Sequence, residues 1–102
     1  MRFKWLSKQS VECDAGFIVT FTGRSSLEYR EGRRHINIHI EDGYVDGEKP
    51  ATIVFAGSIT QWMDFPWRIS ISAQDKRRVL KNLQLALEFQ NLVFVLNEGA
   101  HL

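Results

Sequence analysis

The segment from Arg34 to Glu41 alternates between apolar and polar side chains without an exception. Ile36, Ile38 and Ile40 take one set of alternate positions, and polar residues lie between them. Successive side chains of a β-strand point to opposite faces of the sheet, so this period of two predicts a strand buried on one face. The isoleucines are expected to face the core, and the outward face is expected to carry His35, Asn37, His39 and Glu41.

Two more strands are predicted just before this one. Phe17 to Thr22 alternates in the same way and is rich in β-branched and aromatic residues, while Leu27 and Tyr29 share one side of the segment 27–31. Glycine-containing turns at 23–26 and 32–33 separate the strands. Connections this short cannot hold the crossover that parallel strands need, so an antiparallel meander is expected.

Shorter patterns predict the elements on either side of this meander. Residues 2–6 are expected to form a first strand with Phe3 and Trp5 buried, followed by a polar loop that runs to Gly16. Residues 41–50 contain two glycines, one proline and four acids, which predicts an exposed loop. The segments after this loop are expected to be a strand at 51–55, a helical turn at 57–63 and a strand at 68–72.

A long helix is predicted near residues 73–90. Ser72 and Asp75 have the spacing of a capping box, in which the hydroxyl accepts from a backbone N–H and the carboxylate reaches back to the cap. Val79, Leu83 and Leu87 then recur on one helix face. The apolar run at 92–96 is predicted to be a buried final strand. The expected fold is therefore α+β: a twisted antiparallel sheet packed against a long C-terminal helix, with a short last strand.

The length of the chain and its charge limit its organisation and its partners. At 102 residues it has the size of one domain, and residues 1–102 are predicted to form a single one. The formal net charge of +1 gives no overall field that favours nucleic acid or an anionic membrane. The distribution is uneven, because residues 41–66 hold five acids and a single lysine. The middle of the chain is therefore its acidic part.

The cysteine content and the apolar segments indicate a compartment. Cys13 is the single cysteine, so no internal disulfide can form, which is typical of a reducing environment. The N-terminal residues lack the apolar run of a signal peptide, and no apolar stretch approaches the roughly 18 residues that span a bilayer. These features predict a cytoplasmic protein with no membrane partner.

No arrangement of residues predicts catalysis or a bound metal. His35 and His39 lie four residues apart on the predicted strand, about 13 Å, which is too far to share an ion with bonds near 2 Å. The motifs of serine hydrolases, zinc proteases, P-loops and dinucleotide sites are absent, and the acids at 41–48 lack the spacing of an EF-hand. We therefore expect a binding protein, with no enzymatic activity, no cofactor and no metal ion.

The basic residues support an alternative kind of binding. Lys76, Arg77 and Arg78 begin the predicted helix, where free backbone N–H groups favour phosphate. Together with arginines of the turns and exposed aromatic residues, they would make a surface for single-stranded nucleic acid. The nearly neutral net charge favours a solvated charged face instead. A similar choice, between core anchors and binding residues, applies to the aromatic cluster of Trp62, Phe65 and Trp67.

One combination of motifs carries a family resemblance. The segment from Gly23 to Gly32, GRSSLEYREG, is followed by the alternating strand, by an I-x-x-W element at 59–62 and by a basic capped helix. In these features the chain resembles the immunity protein 74 family of bacterial polymorphic-toxin and contact-dependent growth inhibition systems, over most of its length. The resemblance implies a non-enzymatic cytoplasmic protein that binds and neutralises the toxin domain of a secreted effector.

The same resemblance implies a fold and a partner surface. The fold would be similar to the whirly type of single-strand DNA-binding proteins, which keeps nucleic-acid binding as the alternative function. Toxins of this class are often nucleases with basic clefts, which an acidic surface can occupy by charge complementarity. Exposed sheet edges give another kind of contact, either between two copies of this chain or with a strand of a partner. The residues predicted to bind the toxin are Glu41, Asp42, Asp46 and Glu48, and on a second candidate surface Arg24, Arg33 and Arg34.

Overall fold

The first five strands pair with one another in chain order through short turns. The computed structural model describes residues 1–64 and 66–98 of the chain. Each of these strands is antiparallel to the next, which confirms the predicted meander. The strands are β1 (Phe3–Ser7), β2 (Ser10–Cys13), β3 (Phe17–Gly23), β4 (Ser26–Glu31) and β5 (Arg34–Val45).

The second half of the chain completes the sheet and adds the helix. β6 (Lys49–Phe55) pairs with β5. The hairpin of β7 (Gln61–Asp64) and β8 (Trp67–Ser70) joins the sheet through a contact between β7 and β5, and β9 (Val93–Asn97) runs parallel to β6. Across the described residues the fold is therefore α+β, as predicted: a mostly antiparallel sheet, one long helix and a final strand. A short 3-10 helix (Ala56–Ser58) follows β6, and the long helix is α1 (Ala73–Phe89).

The core lies between α1 and one face of the sheet. Ile36, Ile38 and Ile40 are each 1% exposed, which confirms the inward face predicted from the alternation. Burying an aliphatic side chain of this size contributes roughly 1.5–3 kcal/mol to the free energy of unfolding. A few such residues are therefore enough to hold the helix against the sheet. The helix buries one stripe, made of Val79, Leu83, Ala86 and Leu87.

Within the described residues, no helix is both long enough and apolar enough to cross a membrane.

The N-terminal segment differs from the prediction. Phe3 is partly buried, but Trp5 is 51% exposed because β1 is the edge strand of the sheet, where Phe89 of α1 covers part of the indole. The polar loop expected before Gly16 is also wrong, since it contains β2, whose Val11 and Cys13 are buried. Two inward residues make too short a pattern to reveal a strand by its period.

The loop predicted at residues 41–50 is a β-hairpin instead. β5 continues to Val45 and β6 begins at Lys49, and the two strands pair from Ile40 with Val54 to the turn. Acids and glycines are uncommon in strands, which is why the composition suggested a loop. The expected strand at 51–55 is therefore the inner half of a longer strand.

Two elements before the helix also differ from their predictions. The helical turn expected at 57–63 is a 3-10 helix at Ala56–Ser58 followed by β7, and the strand expected at 68–72 is β8, which runs Trp67–Ser70. The helix itself begins as predicted, because the Ser72 hydroxyl accepts a 3.0 Å hydrogen bond from the Asp75 N–H.

The last strand lies where the apolar run predicted a strand, but its burial is incomplete. β9 is the outermost strand beyond β6, and its apolar residues are only partly covered. A continuous apolar run is typical of a strand buried on both faces, whereas here an edge position leaves both faces partly open. The helix between β8 and β9 allows β9 to run parallel to β6, because it supplies the crossover.

Candidate partner-binding surface

The acidic residues predicted to bind a partner lie on a projecting ribbon of two strands. β4 accompanies β5 only up to His39, and β9 accompanies β6 only from Ala51. In the described part of the chain, no further strand flanks the β5–β6 pair beyond these points. We call residues 41–50 the acidic hairpin.

The turn of the acidic hairpin is closed by two residues with left-handed backbone angles. Asp46 has φ 56° and Gly47 has φ 76°, and the Glu48 N–H donates a 3.2 Å hydrogen bond to the Val45 carbonyl. Gly adopts such angles most readily, Asp does so more readily than most other residues, and Asp-Gly is a common pair in tight hairpins. The sequence therefore fixes the tip of the hairpin.

The base of the acidic hairpin is held by specific contacts. The Ser58 hydroxyl accepts a 3.0 Å hydrogen bond from the His39 N–H and donates one of 2.7 Å to the Phe55 carbonyl, which ties β5 to the end of β6. At Gly43 a Cβ would lie 3.2 Å from Cδ1 of Ile53, so the glycine lets the isoleucine lie across the ribbon. The ribbon thus leaves the sheet in a defined direction.

The surface of the acidic hairpin combines negative charge with one exposed aromatic ring. All four carboxylates are on exposed residues, and Lys49 is the one basic residue among positions 41–50. Tyr44 lies between the acids and is 73% exposed. A tyrosine supplies a large contact area for few rotatable bonds, and such residues commonly dominate the energy of protein interfaces. The arrangement suits a basic surface that can also receive the phenol ring.

The second predicted group, Arg24 with Arg33 and Arg34, does not form one surface. Arg24 lies in the β3–β4 turn, whereas Arg33 lies in the β4–β5 turn and Arg34 is the first residue of β5. The two positions are at opposite ends of β4, a six-residue strand about 17 Å long. The guanidinium of Arg34 is stacked on the Trp62 ring, 4.6 Å from its centroid. Arg33 lies 3.9 Å from the Asp64 carboxylate, with its side chain 88% exposed.

A network of paired polar side chains joins β4 to the start of α1. Arg78 donates hydrogen bonds of 2.8 and 3.1 Å to the two carboxylate oxygens of Glu31, and one of 2.7 Å to Asp75. The Tyr29 hydroxyl donates to Glu31 and accepts a 2.9 Å bond from the Asn82 amide. Asp75 also accepts a 3.4 Å bond from the Trp62 indole, so its carboxylate does not reach back to the helix cap as predicted.

This network shifts the pKa values of its members. Burial alone would raise the pKa of Glu31, but hydrogen bonds from Arg78 and Tyr29 outweigh it and lower that pKa. Hydrogen bonding to Arg78 lowers the pKa of Asp75, while burial raises the pKa of the Tyr29 phenol. The same two carboxylates raise the pKa of Arg78, which accounts for a cation near the N-terminus of a helix, where the dipole disfavours positive charge. The network therefore acts as a clamp between helix and sheet.

Other candidate sites have the following positions. Among the residues that the structure describes, no group of three or more His, Cys, Asp or Glu side chains has the arrangement of a metal site. His35 and His39 lie on β5, as the alternation predicted. A shallow groove of about 560 Å³ runs beside β1 and β2, lined by residues that include Arg2, Phe3 and the buried Cys13.

The aromatic residues divide between core and surface. Trp62 is 1% exposed and anchors the core, whereas Trp67 is 68% exposed on β8. Phe65, the third member of the predicted cluster, lies outside the described residues. The sequence analysis placed Tyr44 in an exposed loop but did not single it out as a contact residue on a hairpin. The Asp46-Gly47 pair is the signal that would have found it, because a hairpin turn there makes the flanking residues strands.

No protein-family model, no curated protein and no solved structure matches this chain. The resemblance to the immunity protein 74 family therefore rests on the motifs of the sequence.

Proposed function

We propose that this chain is an immunity protein that binds a bacterial toxin domain and neutralises it by covering its active cleft. The observation that carries this proposal is the acidic hairpin, which concentrates four exposed carboxylates and the exposed Tyr44 on one projecting ribbon. The partner would be the toxin domain of a secreted effector, and the mechanism would be occupation of the cleft without chemistry. The proposal implies a cytoplasmic location, where the toxin must be met and where Cys13 stays reduced.

The physical chemistry of the acidic hairpin supports this mechanism. A nuclease cleft must be basic to bind phosphates, and an acidic ribbon can enter it where a flat sheet face cannot. Complementary charge speeds the encounter and fixes the register of the two proteins, which matters for an inhibitor that must act before damage occurs. Tyr44, on the same face of β5 as Asp42, would then supply apolar contact beside that carboxylate.

The residues of the family-like motif have a different role in this account. Leu27 and Tyr29 are fully buried in the core, and Glu31 is clamped by Arg78. These residues therefore stabilise the fold that presents the hairpin and are not available to contact a partner. Because the residues that stabilise the fold are separate from those that contact the partner, the contact surface can be adapted to one toxin while the fold stays the same.

A single-stranded nucleic-acid binder is the alternative, and one observation favours it. Trp67 is 68% exposed on β8, next to Arg68 and near Arg33, since Asp64 is both the strand partner of Trp67 and the neighbour of Arg33. An exposed indole beside arginines is the kind of platform on which bases stack. This surface carries fewer charges than a nucleic-acid channel commonly does, so we rank it second.

The proposal is tested by co-expressing the chain with the C-terminal domain of a large secreted protein encoded beside it. The expected result is a stable one-to-one complex and survival of cells that the toxin domain alone kills. A fluorescent oligonucleotide titration at several salt concentrations is run in parallel. Absence of a complex, together with oligonucleotide affinity that falls steeply with salt, would replace the immunity function with the alternative.

A further inference from the structure

β1 has an unpaired side that is set up for hydrogen bonding. The Arg2 carbonyl accepts a 2.9 Å hydrogen bond from the Asp14 N–H, so the backbone of Arg2 points toward β2. Backbone groups of successive residues in an antiparallel strand point to alternate sides, so those of Phe3 and Trp5 point away from β2. In the described part of the chain, no strand pairs with that side. β1 therefore presents donors and acceptors to an incoming strand.

The two faces beside this open edge differ in chemistry. On the helix side, Phe3 and Trp5 lie against Phe89, with ring centroids 5.3 and 5.8 Å apart, and Trp5 and Phe89 remain 51% and 38% exposed. On the opposite side, the exposed Arg2 and Lys4 alternate with the aromatic residues. The edge is thus apolar on one face and basic on the other.

The charges at this edge favour one kind of incoming strand over another. Lys8 follows the strand, which makes three basic residues among the first eight. Two acids lie beside them on the β2 side: Glu12, 3.4 Å from Lys4, and Asp14, whose carboxylate accepts a 2.9 Å hydrogen bond from the Arg2 N–H. On its open side β1 still presents only the basic side chains of Arg2 and Lys4 between its aromatic residues. Pairing β1 with β1 of a second copy about Trp5 would bring Arg2 toward Lys8, which lies in the β1–β2 turn. It would offer these basic residues no acidic partner, because residues 1–8 contain no acid, and like charges close together disfavour a strand pair. An acidic strand would meet the complementary charge instead.

From these observations we infer that β1 is a second binding edge, which accepts an extended partner segment that alternates apolar and acidic residues. The segment adds to the sheet through the backbone groups of Phe3 and Trp5. Its apolar side chains pack on Trp5 and Phe89, and its acidic side chains face Arg2 and Lys4. Strand addition of this kind takes affinity from the backbone and specificity from alternate side chains. The site is separate from the acidic hairpin and goes beyond the proposed function.

The test uses the whole chain and a short synthetic peptide that alternates valine and glutamate, capped at both ends. Amide NMR spectra and hydrogen exchange are recorded with and without the peptide, and a peptide that alternates valine and lysine serves as the charge control. We expect the acidic peptide to slow exchange of the Phe3 and Trp5 amides and the basic peptide to leave them unchanged. Lys4→Glu is expected to weaken the binding about threefold. Lys81→Glu makes the same change of charge at an exposed position of α1 and is expected to leave the binding unchanged.

Three outcomes would overturn the inference. The first is unchanged exchange of the Phe3 and Trp5 amides at a saturating concentration of the acidic peptide. The second is equal binding of the acidic and basic peptides, which would remove the charge argument. The third is self-association of the free chain through β1, seen as a concentration-dependent mass with the same amides protected. None of these results depends on a toxin, so the inference and the proposed function can fail separately.

Discussion

Arg78 of α1 holds Glu31 at the end of β4 through two parallel hydrogen bonds of 2.8 and 3.1 Å. The two residues lie 47 positions apart in the sequence, and the pair closes the gap between the start of the helix and the meander. Asp75 holds the other side of the same guanidinium, at 2.7 Å. The orientation of α1 on the sheet therefore depends on this clamp as well as on the buried stripe.

Removing the guanidinium should destabilise the fold measurably. We expect Arg78→Ala to lower the free energy of unfolding by about 1–3 kcal/mol, because Glu31 then keeps a partly buried charge without its main partner. Urea denaturation followed by circular dichroism measures the change. Arg77→Ala is the matched control, since Arg77 is exposed beside Arg78, and it should stay within about 0.5 kcal/mol of the parent chain. Equal effects of the two variants would contradict the clamp.

The clamp also predicts loss of stability in acid. The pKa values of Glu31 and Asp75 lie below their ordinary values of 4.5 and 3.8, so the unfolded chain binds protons at a higher pH than the folded one. The free energy of unfolding should therefore be steady above the ordinary carboxyl range and fall as the pH drops through it toward the lowered values. Urea midpoints across this range should fall more steeply for the parent chain than for Arg78→Ala, and parallel curves would disprove the coupling.

The turn of the acidic hairpin should be sensitive to residue type at Gly47. A valine there would have to adopt the φ of 76°, which β-branched residues strongly disfavour. We expect Gly47→Val to destabilise the ribbon by about 1–2 kcal/mol and to speed hydrogen exchange of amides between 43 and 50, while Gly47→Asn has a smaller effect because asparagine tolerates this conformation. Identical exchange in the two variants would show that the turn does not order the ribbon.

Cys13 should be chemically inert in the folded protein. Its side chain is 2% exposed, so the thiol cannot be reached by a reagent in solution. We expect a coloured disulfide reagent to react slowly in buffer and at once in denaturant, with the slow rate following the unfolding rate. Fast reaction under native conditions would mean that β2 opens readily from the sheet.

The sequence predicted the elements whose pattern repeats. The isoleucines of β5 and the stripe of α1 were located correctly because burial on one face leaves a regular period. The short connections also predicted the meander, since they exclude parallel pairing. The fold class followed from these two patterns and the order of the elements.

The rest depended on contacts that no local pattern records. The parallel pairing of β9 with β6 and the exposure of Trp5 both follow from which strands lie at the edges of the sheet. The clamp joins residues distant in sequence, and Arg34 turned out to cover Trp62. Of the predicted site, the four acids share one hairpin, whereas Arg24 lies at the opposite end of β4 from Arg33 and Arg34.

The most direct test of the proposed function is the affinity of the toxin domain for a chain in which Glu41, Asp42, Asp46 and Glu48 are changed to their amides. Loss of four charge contacts should weaken binding about 100-fold, mainly with slower and less salt-dependent association. A control for net charge compares two double variants. Asp46→Asn with Glu48→Gln removes two negative charges from the acidic hairpin, and Glu88→Gln with Glu98→Gln removes two from elsewhere in the chain. Unchanged affinity of the fourfold variant, with its fold intact, would contradict the role of the acidic hairpin.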